Sequence, residues 1–128
     1  MNAKFKFALA AVAGAALGAA AMQGLHAQAK PKAYTVSELE TLDAAAQAAF
    51  VPLIAAAQTA AGGRNLRTAG GKVVALEGAA APKRVAITEW DSLEQAQAFY
   101  NSKAWKDLAP QQSKAVKTIR RYVVEAMN

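Results

Sequence analysis

Residues 84–108, RVAITEWDSLEQAQAFYNSKAWKDL, constrain the fold more than any other stretch of this chain. Arg84 to Trp90 carries Val85, Ile87, Thr88 and Trp90, β-branched and aromatic types that suit a pleated, packed surface, and predicts a strand. Its parity puts Val85, Ile87 and Glu89 on one face and Arg84, Ala86, Thr88 and Trp90 on the other. Asp91 and Ser92 end the strand and offer side-chain oxygens to the first N–H groups of a helix. Glu94 and Gln95 stand three residues after each, as a capping box requires. Leu93, Ala96 and Tyr100 then recur at helical spacing, and Phe99 widens the stripe. This helix is expected to run to Ser102, and Lys103 to Leu108 adds a turn that sets Trp105 beside Leu108.

The flanking sequence supplies the partners this unit needs. After a basic linker at Lys30 to Lys32, a strand is expected over about Ala33 to Leu39, where Tyr34, Val36 and Leu39 alternate imperfectly. Thr41 to Ala61, rich in Ala, Gln and Leu, predicts a long helix capped by Thr41 or Asp43 and ended by Gly62-Gly63. Its expected core stripe is Phe50, Leu53 and Ala57, joined by Ala46 and Ile54. Pro52 is expected to kink it or to start a second segment. Arg64 to Thr68 and Lys72 to Glu77 read as short extended pieces around the turn Ala69-Gly70-Gly71, followed by a loop over Gly78 to Lys83. Beyond Pro110, a helical connector over Gln111 to Lys117 leads to a last strand, Thr118 to Glu125. That strand places Arg120, Tyr122 and Val124 on one face and Ile119, Arg121, Val123 and Glu125 on the other.

This order defines an α+β class and a ferredoxin-like plan, a four-stranded, mainly antiparallel sheet with two helices on one face. The opposite face stays open in a lone monomer. Apolar side chains there need a cover, which predicts a two-fold homodimer.

Residues 1–29 read as a signal peptide and residues 30–128 as the folded domain. Lys4 and Lys6 form a positive start, Phe7 to Met22 an uncharged apolar run, and Ala27-Gln28-Ala29 a small-residue site for cleavage before Lys30. Leu25-His26-Ala27 is a second possible site two residues earlier, and an uncleaved anchor is the alternative, the one case in which a membrane is a partner. The expected location is periplasmic or secreted. The chain has no cysteine, and its one histidine, His26, lies in the signal segment. Imidazole and thiolate chemistry therefore drop out of the mature domain, so no metal site and no cofactor are expected. Without Lys4 and Lys6, thirteen basic residues face nine acidic ones, a net charge of about +4. A nucleic-acid surface would need aromatics interleaved with basic residues on one face and an address where nucleic acid is available, and the excess reads instead as a solvated, mildly basic face.

Several short runs resemble the domain of unknown function 1330 family. They are Ala60-Ala61-Gly62-Gly63-Arg64, Val74-Ala75-Leu76-Glu77-Gly78, Arg84 to Trp90, Ser92 to Ala96, and Ala98 to Ser102 through to Trp105. The resemblance spans about Ala33 to Ala126. It implies a dimeric α/β barrel and names no reaction. Asp91 stands where the family often has proline, and the Ala-rich first helix lacks aromatics found in many relatives.

A cleft between the open sheet face and its loops is the expected ligand site, with Arg64, Glu77, Arg84, Glu89, Tyr100 and Ser102 near it. Arg64 or Arg84 is suited to clamp a carboxylate or enolate oxygen, with Ser102 as a hydrogen-bonding neighbour. Glu77, Glu89 and Tyr100 are the candidate catalytic residues, a desolvated glutamate serving as base. The alternative is that these arginines and glutamates pair with each other at the strand edges. Parity keeps Arg84 and Glu89 on opposite sides of the sheet. Trp90, Phe99, Tyr100 and Trp105 form either an aromatic wall or core packing. Three functions follow: a dimer that binds a small organic or weakly acidic ligand, a cofactor-free oxygenase or isomerase, and a structural or interaction dimer.

Overall fold

The computed structural model describes residues 30–127. The expected signal segment lies outside the described residues. The element order is β1 (Ala33–Thr41), α1 (Ala44–Ala60), β2 (Arg64–Asn65), β3 (Arg84–Trp90), α2 (Leu93–Tyr100), α3 (Lys103–Lys106), α4 (Ala109–Ala115) and β4 (Val116–Glu125). The strands form one sheet in the order β2-β3-β1-β4 with every neighbouring pair antiparallel. This is the α+β, ferredoxin-like plan expected from the sequence. Among the described residues no helix is long and apolar enough to cross a membrane.

Local chemistry sets the boundaries. Asp43, not Thr41, caps α1, its carboxylate accepting from Ala46 N at 2.7 Å. Gly62, at φ +93°, ends it in a Schellman turn: Gly62 N donates to Thr59 O at 3.0 Å and Gly63 N to Gln58 O at 2.8 Å. Pro52 does not divide the helix. It lies on the solvent side, where the carbonyl of exposed Ala48 that loses its partner is open to water. Ser92 caps α2, as its sequence predicts, and Gln95 reaches back to Asp91 N at 2.8 Å. That helix stops at Tyr100, and Ser102 caps α3 instead. Pro110 opens α4 at its first turn, where a missing N–H costs nothing.

Two expected extended pieces shrink. β2 keeps only Arg64 and Asn65, and residues 72–77 form no strand. Arg67 adopts a left-handed φ of 59°, braced by Asn65 Oδ1 accepting from its N–H at 2.7 Å, and turns the chain off the sheet. Thr68 then occupies the β3 edge with its side chain, donating to Val85 O at 2.7 Å and accepting from Ile87 N at 3.1 Å. Leu76, left without a ladder or a core, is 93% exposed.

The core lies between the sheet and the helices. Ala33, Thr35, Ser37 and Leu39 face inward from β1, and Thr88 and Trp90 from β3. One apolar cluster joins Leu39, Phe50, Ala115 and Val116, and the other joins Trp90, Ala96 and Phe99. The buried stripe of α1 is Gln47, Phe50 and Gln58, while Leu53 is 44% exposed. Phe50 of the expected stripe is buried and Ala46, Ile54 and Ala57 pack against the core, so the stripe departs from expectation at Leu53 and in the two glutamines, which occupy buried positions that an apolar count discounts. A β-bulge between Glu38 and Leu39 shifts the register of β1 against β4. The opposite sheet face carries Tyr34, Val36, Glu38, Tyr122 and Val124, and a Glu38–Arg120 ion pair at 2.6 Å crosses it.

A Cβ at Gly63 would lie 2.9 Å from Trp90 Cη2 and 3.0 Å from Thr88 Cγ2, whereas one at Gly70 would meet nothing within 4 Å. Gly63→Ala is therefore expected to destabilise the domain by about 1–3 kcal/mol, and Gly70→Ala to change it by less than about 0.5 kcal/mol. Urea denaturation of the two variants measures the difference, and equal midpoints would contradict the packing at Gly63.

Candidate functional site

The inward sheet face does not close completely onto α1. Small side chains on the floor, Ser37 and Ala86, leave a cavity of about 80 Å³. Leu39, Phe50, Ile54 and Val116 line it with apolar surface, Tyr100 and Trp105 stand at its edge, and exposed Val51 and Asn65 rim its mouth. Four neutral polar side chains face it and are buried: Ser37, Gln47, Gln58 and Thr88.

Two arginines complete this pocket, Arg84 and Arg121. Arg121 Nε donates to Ser37 Oγ at 2.8 Å. Its guanidinium lies over the rings of Trp105 and Tyr100, 4.7 and 5.4 Å from their centroids. Burial pushes the Arg121 pKa down. The guanidinium stays cationic even so, since arginine starts far above neutral pH. Arg84 is held by Gln47. With its amide oxygen toward the guanidinium, the orientation its neighbours require, Gln47 accepts from Arg84 Nε at 3.1 Å and donates to Thr41 Oγ1 at 2.6 Å. Among the described residues neither arginine forms an ion pair.

Arg64 and Glu89 belong to a different place. They oppose each other across β2 and β3 on the open side of the sheet, with Arg64 Nε 2.6 Å from Glu89 Oε1. Arg64 also bonds Asp91 at 2.9 Å, Tyr34 donates to Glu89 at 2.9 Å, and Lys32 approaches both carboxylates. The Arg64 hydrogen bond holds the Glu89 carboxyl below the usual carboxylate range, reinforced by Tyr34, and the same guanidinium lowers Asp91. The Tyr34 hydroxyl is raised, chiefly by its bond to Glu89. Every member of this network has a partner, which matches the edge-pairing alternative for Arg64 and Glu89. Glu77 lies in a third place, a groove over the open face formed by residues 73–82 with Val36, Val85 and Tyr122.

The structure therefore brings together Arg84 and Tyr100 from the expected site residues, and does so on the helix-bearing face. Arg64, Glu77 and Glu89 lie on the other side of the sheet. Ser102 is occupied as a cap, accepting from Trp105 N at 3.3 Å and donating to Phe99 O at 2.5 Å. The aromatic residues divide: Trp90 and Phe99 are core, while Tyr100 and Trp105 line the pocket. Sequence reasoning missed Ser37, Gln47, Gln58, Thr88 and Arg121. Strand parity was the available signal for Arg121, a cation on the face it shares with Val123. Among the described residues no group of His, Cys, Asp or Glu side chains is placed to hold a metal ion.

Fold and pocket together define a ferredoxin-like domain with an apolar, cationic cleft between its sheet and its first helix. Residues 32–127 match the family described as a domain of unknown function, DUF1330, and the chain belongs to that family. Two crystal structures share the fold. The RPA0582 protein of unknown function from Rhodopseudomonas palustris has a TM-score of 0.60 at 13% identity, covering 84% of this chain and 92% of that one. Methylated RPA0582 has a TM-score of 0.59 at 13% identity, covering 84% and 90%. At such identity the likeness extends to the fold alone. No curated protein sequence matches the chain.

The lowered Glu89 and Asp91 pKa values have a pH consequence. A carboxylate held below its unfolded value stabilises the fold above that unfolded value, about 4, and the contribution is lost as pH falls through the folded value. Arg64→Gln removes the largest cause of both shifts. Titration of the side-chain carboxyls by NMR is expected to show both pKa values rising toward their ordinary range in the variant, and unchanged values would refute the assigned cause.

Proposed function

We propose that this chain is exported, acts as a homodimer, and binds a small acidic organic ligand in the helix–sheet pocket without transforming it. The observation that carries the ligand reading is the pair of guanidiniums in one largely apolar cavity with no acid to neutralise them. A desolvated cation lacking a counter-charge is costly, so a pocket of this kind is suited to an anion brought from outside. Ser37, Gln47, Gln58 and Thr88 supply neutral hydrogen-bonding groups that orient a ligand without competing for its charge.

Transformation receives less support. A cofactor-free oxygenase or isomerase needs a base in reach of its substrate, and the titratable side chains lining this pocket are Arg84, Tyr100 and Arg121. Glu77 and Glu89 sit on the far side of the sheet, and Glu89 is held ionised in an ion pair. The dimer reading rests on the sheet face that the helices leave open and residues 73–82 overhang only in part, where Tyr122 is 43% and Val124 51% exposed. Export rests on the sequence of residues 1–29.

Native mass spectrometry of the protein purified from its own source tests these together. The expected result is a dimer that carries an acidic small molecule, with that mass lost in Arg121→Gln. A dimer that arrives empty, and binds no member of an organic-acid panel by ligand-observed NMR, would remove the ligand reading. Tyr122→Asp puts a charge on the open face and is expected to shift the dimer to monomer in sedimentation velocity. An unchanged sedimentation coefficient would remove the sheet-face dimer.

A further inference from the structure

The two pocket cations are held apart. Arg121 stands opposite Ser37 on one side of β1 and is bonded to that residue. Arg84 stands opposite Leu39 on the other side of β1, and its guanidinium is drawn by Gln47, which is itself fixed to Thr41. Ser37 and Thr41 are four residues apart on one extended strand, a distance of about 13 Å. The anchoring groups therefore pull the guanidiniums toward opposite ends of the cavity, with Leu39 between them and Phe50 and Ile54 above.

A ligand with one negative charge satisfies one arginine and leaves the other uncompensated against apolar surface. From this geometry we infer that the pocket takes a short aliphatic dicarboxylate, one carboxylate on Arg84 and the other on Arg121. Its methylene groups lie against Leu39, Phe50 and Ile54. This rests on the acidic-ligand reading above and narrows it. Two guanidiniums on separate anchors, with apolar surface between them, match a ligand whose two carboxylates are joined by a short carbon chain.

Isothermal titration calorimetry at low ionic strength distinguishes the possibilities, using the diacids glutarate and adipate and the monoacids butyrate and hexanoate. A diacid is expected to bind at least about tenfold more tightly than the monoacid of the same chain length, the return on one further charged hydrogen-bonded contact. Arg84→Gln and Arg121→Gln are each expected to bring the diacid down to the monoacid level, leaving the monoacids little changed in at least one variant. Because Arg121 is bonded to Ser37 and packed over two aromatic rings, Arg84→Gln carries the test if Arg121→Gln fails to fold. Equal affinity for mono- and diacids in the unaltered protein would overturn this inference and leave the acidic-ligand reading standing. Binding of none of the four acids would overturn both.

Discussion

Trp90 is the contact on which the arrangement of layers depends. It ends β3, pairs in register with Ala33 of β1, and is fully buried. Its indole N–H reaches Thr35 Oγ1 at 3.2 Å, its ring lies 5.3 Å from that of Phe99 in α2, and Gly63 at the exit of α1 passes against its edge. One side chain thus fixes the sheet centre, the second helix and the turn after the first. Burying roughly 150–250 Å² of aromatic surface at about 25 cal/mol per Å² gives on the order of 5 kcal/mol. A helix cap such as Ser92 contributes about 1 kcal/mol. Packing at Trp90 therefore outweighs the local signals that mark where the helices begin, although those signals are what make the elements visible in the sequence.

The strand–turn–helix at residues 84–100 was legible because every local preference agreed. β-branched and aromatic residues, a Ser cap, a Gln three residues later and a helical stripe all indicated one structure. The double-glycine end of α1 was legible for the same reason. The misread parts are those where inward positions carry polar or small residues. β1 buries Ala33, Thr35 and Ser37 and leaves Tyr34 and Val36 on the open face, so an apolar count follows the wrong side for most of its length. α1 buries Gln47 and Gln58 while Val51 and Leu53 are exposed. Residues 72–77 had strand-like composition, but the left-handed Arg67 and the Thr68 side chain had already closed the edge they would have joined.

These misreadings coincide with the cavity. A strand whose inner face reads Ala, Thr, Ser and a helix whose inner face reads Gln, Phe, Gln cannot fill the space between them at core density. The same residues that obscure the burial pattern supply the pocket with its floor and its hydrogen-bonding groups. Charged residues followed a simpler rule. Arg64 and Glu89 share an edge of the open face, where register makes them neighbours, and they neutralise each other. Arg84 and Arg121 fall on the inner face, where no acidic side chain lies opposite.

The bulge between Glu38 and Leu39 decides which arginine that is. Val116 is buried in the core at the start of β4, and Arg121 faces inward five residues later. In a regular strand an odd spacing sends two side chains to opposite surfaces. The register shift absorbs one residue and lets both point the same way. Had β4 run without it, Arg120 would occupy the cavity wall and Arg121 the open face. Arginine stands at both positions, so either register gives the cleft a second positive charge, and the bulge decides only which arginine supplies it. Losing that extra residue would leave the cleft its charge and change what lies beside it, bringing Tyr122 to the inner face and turning Val123 outward.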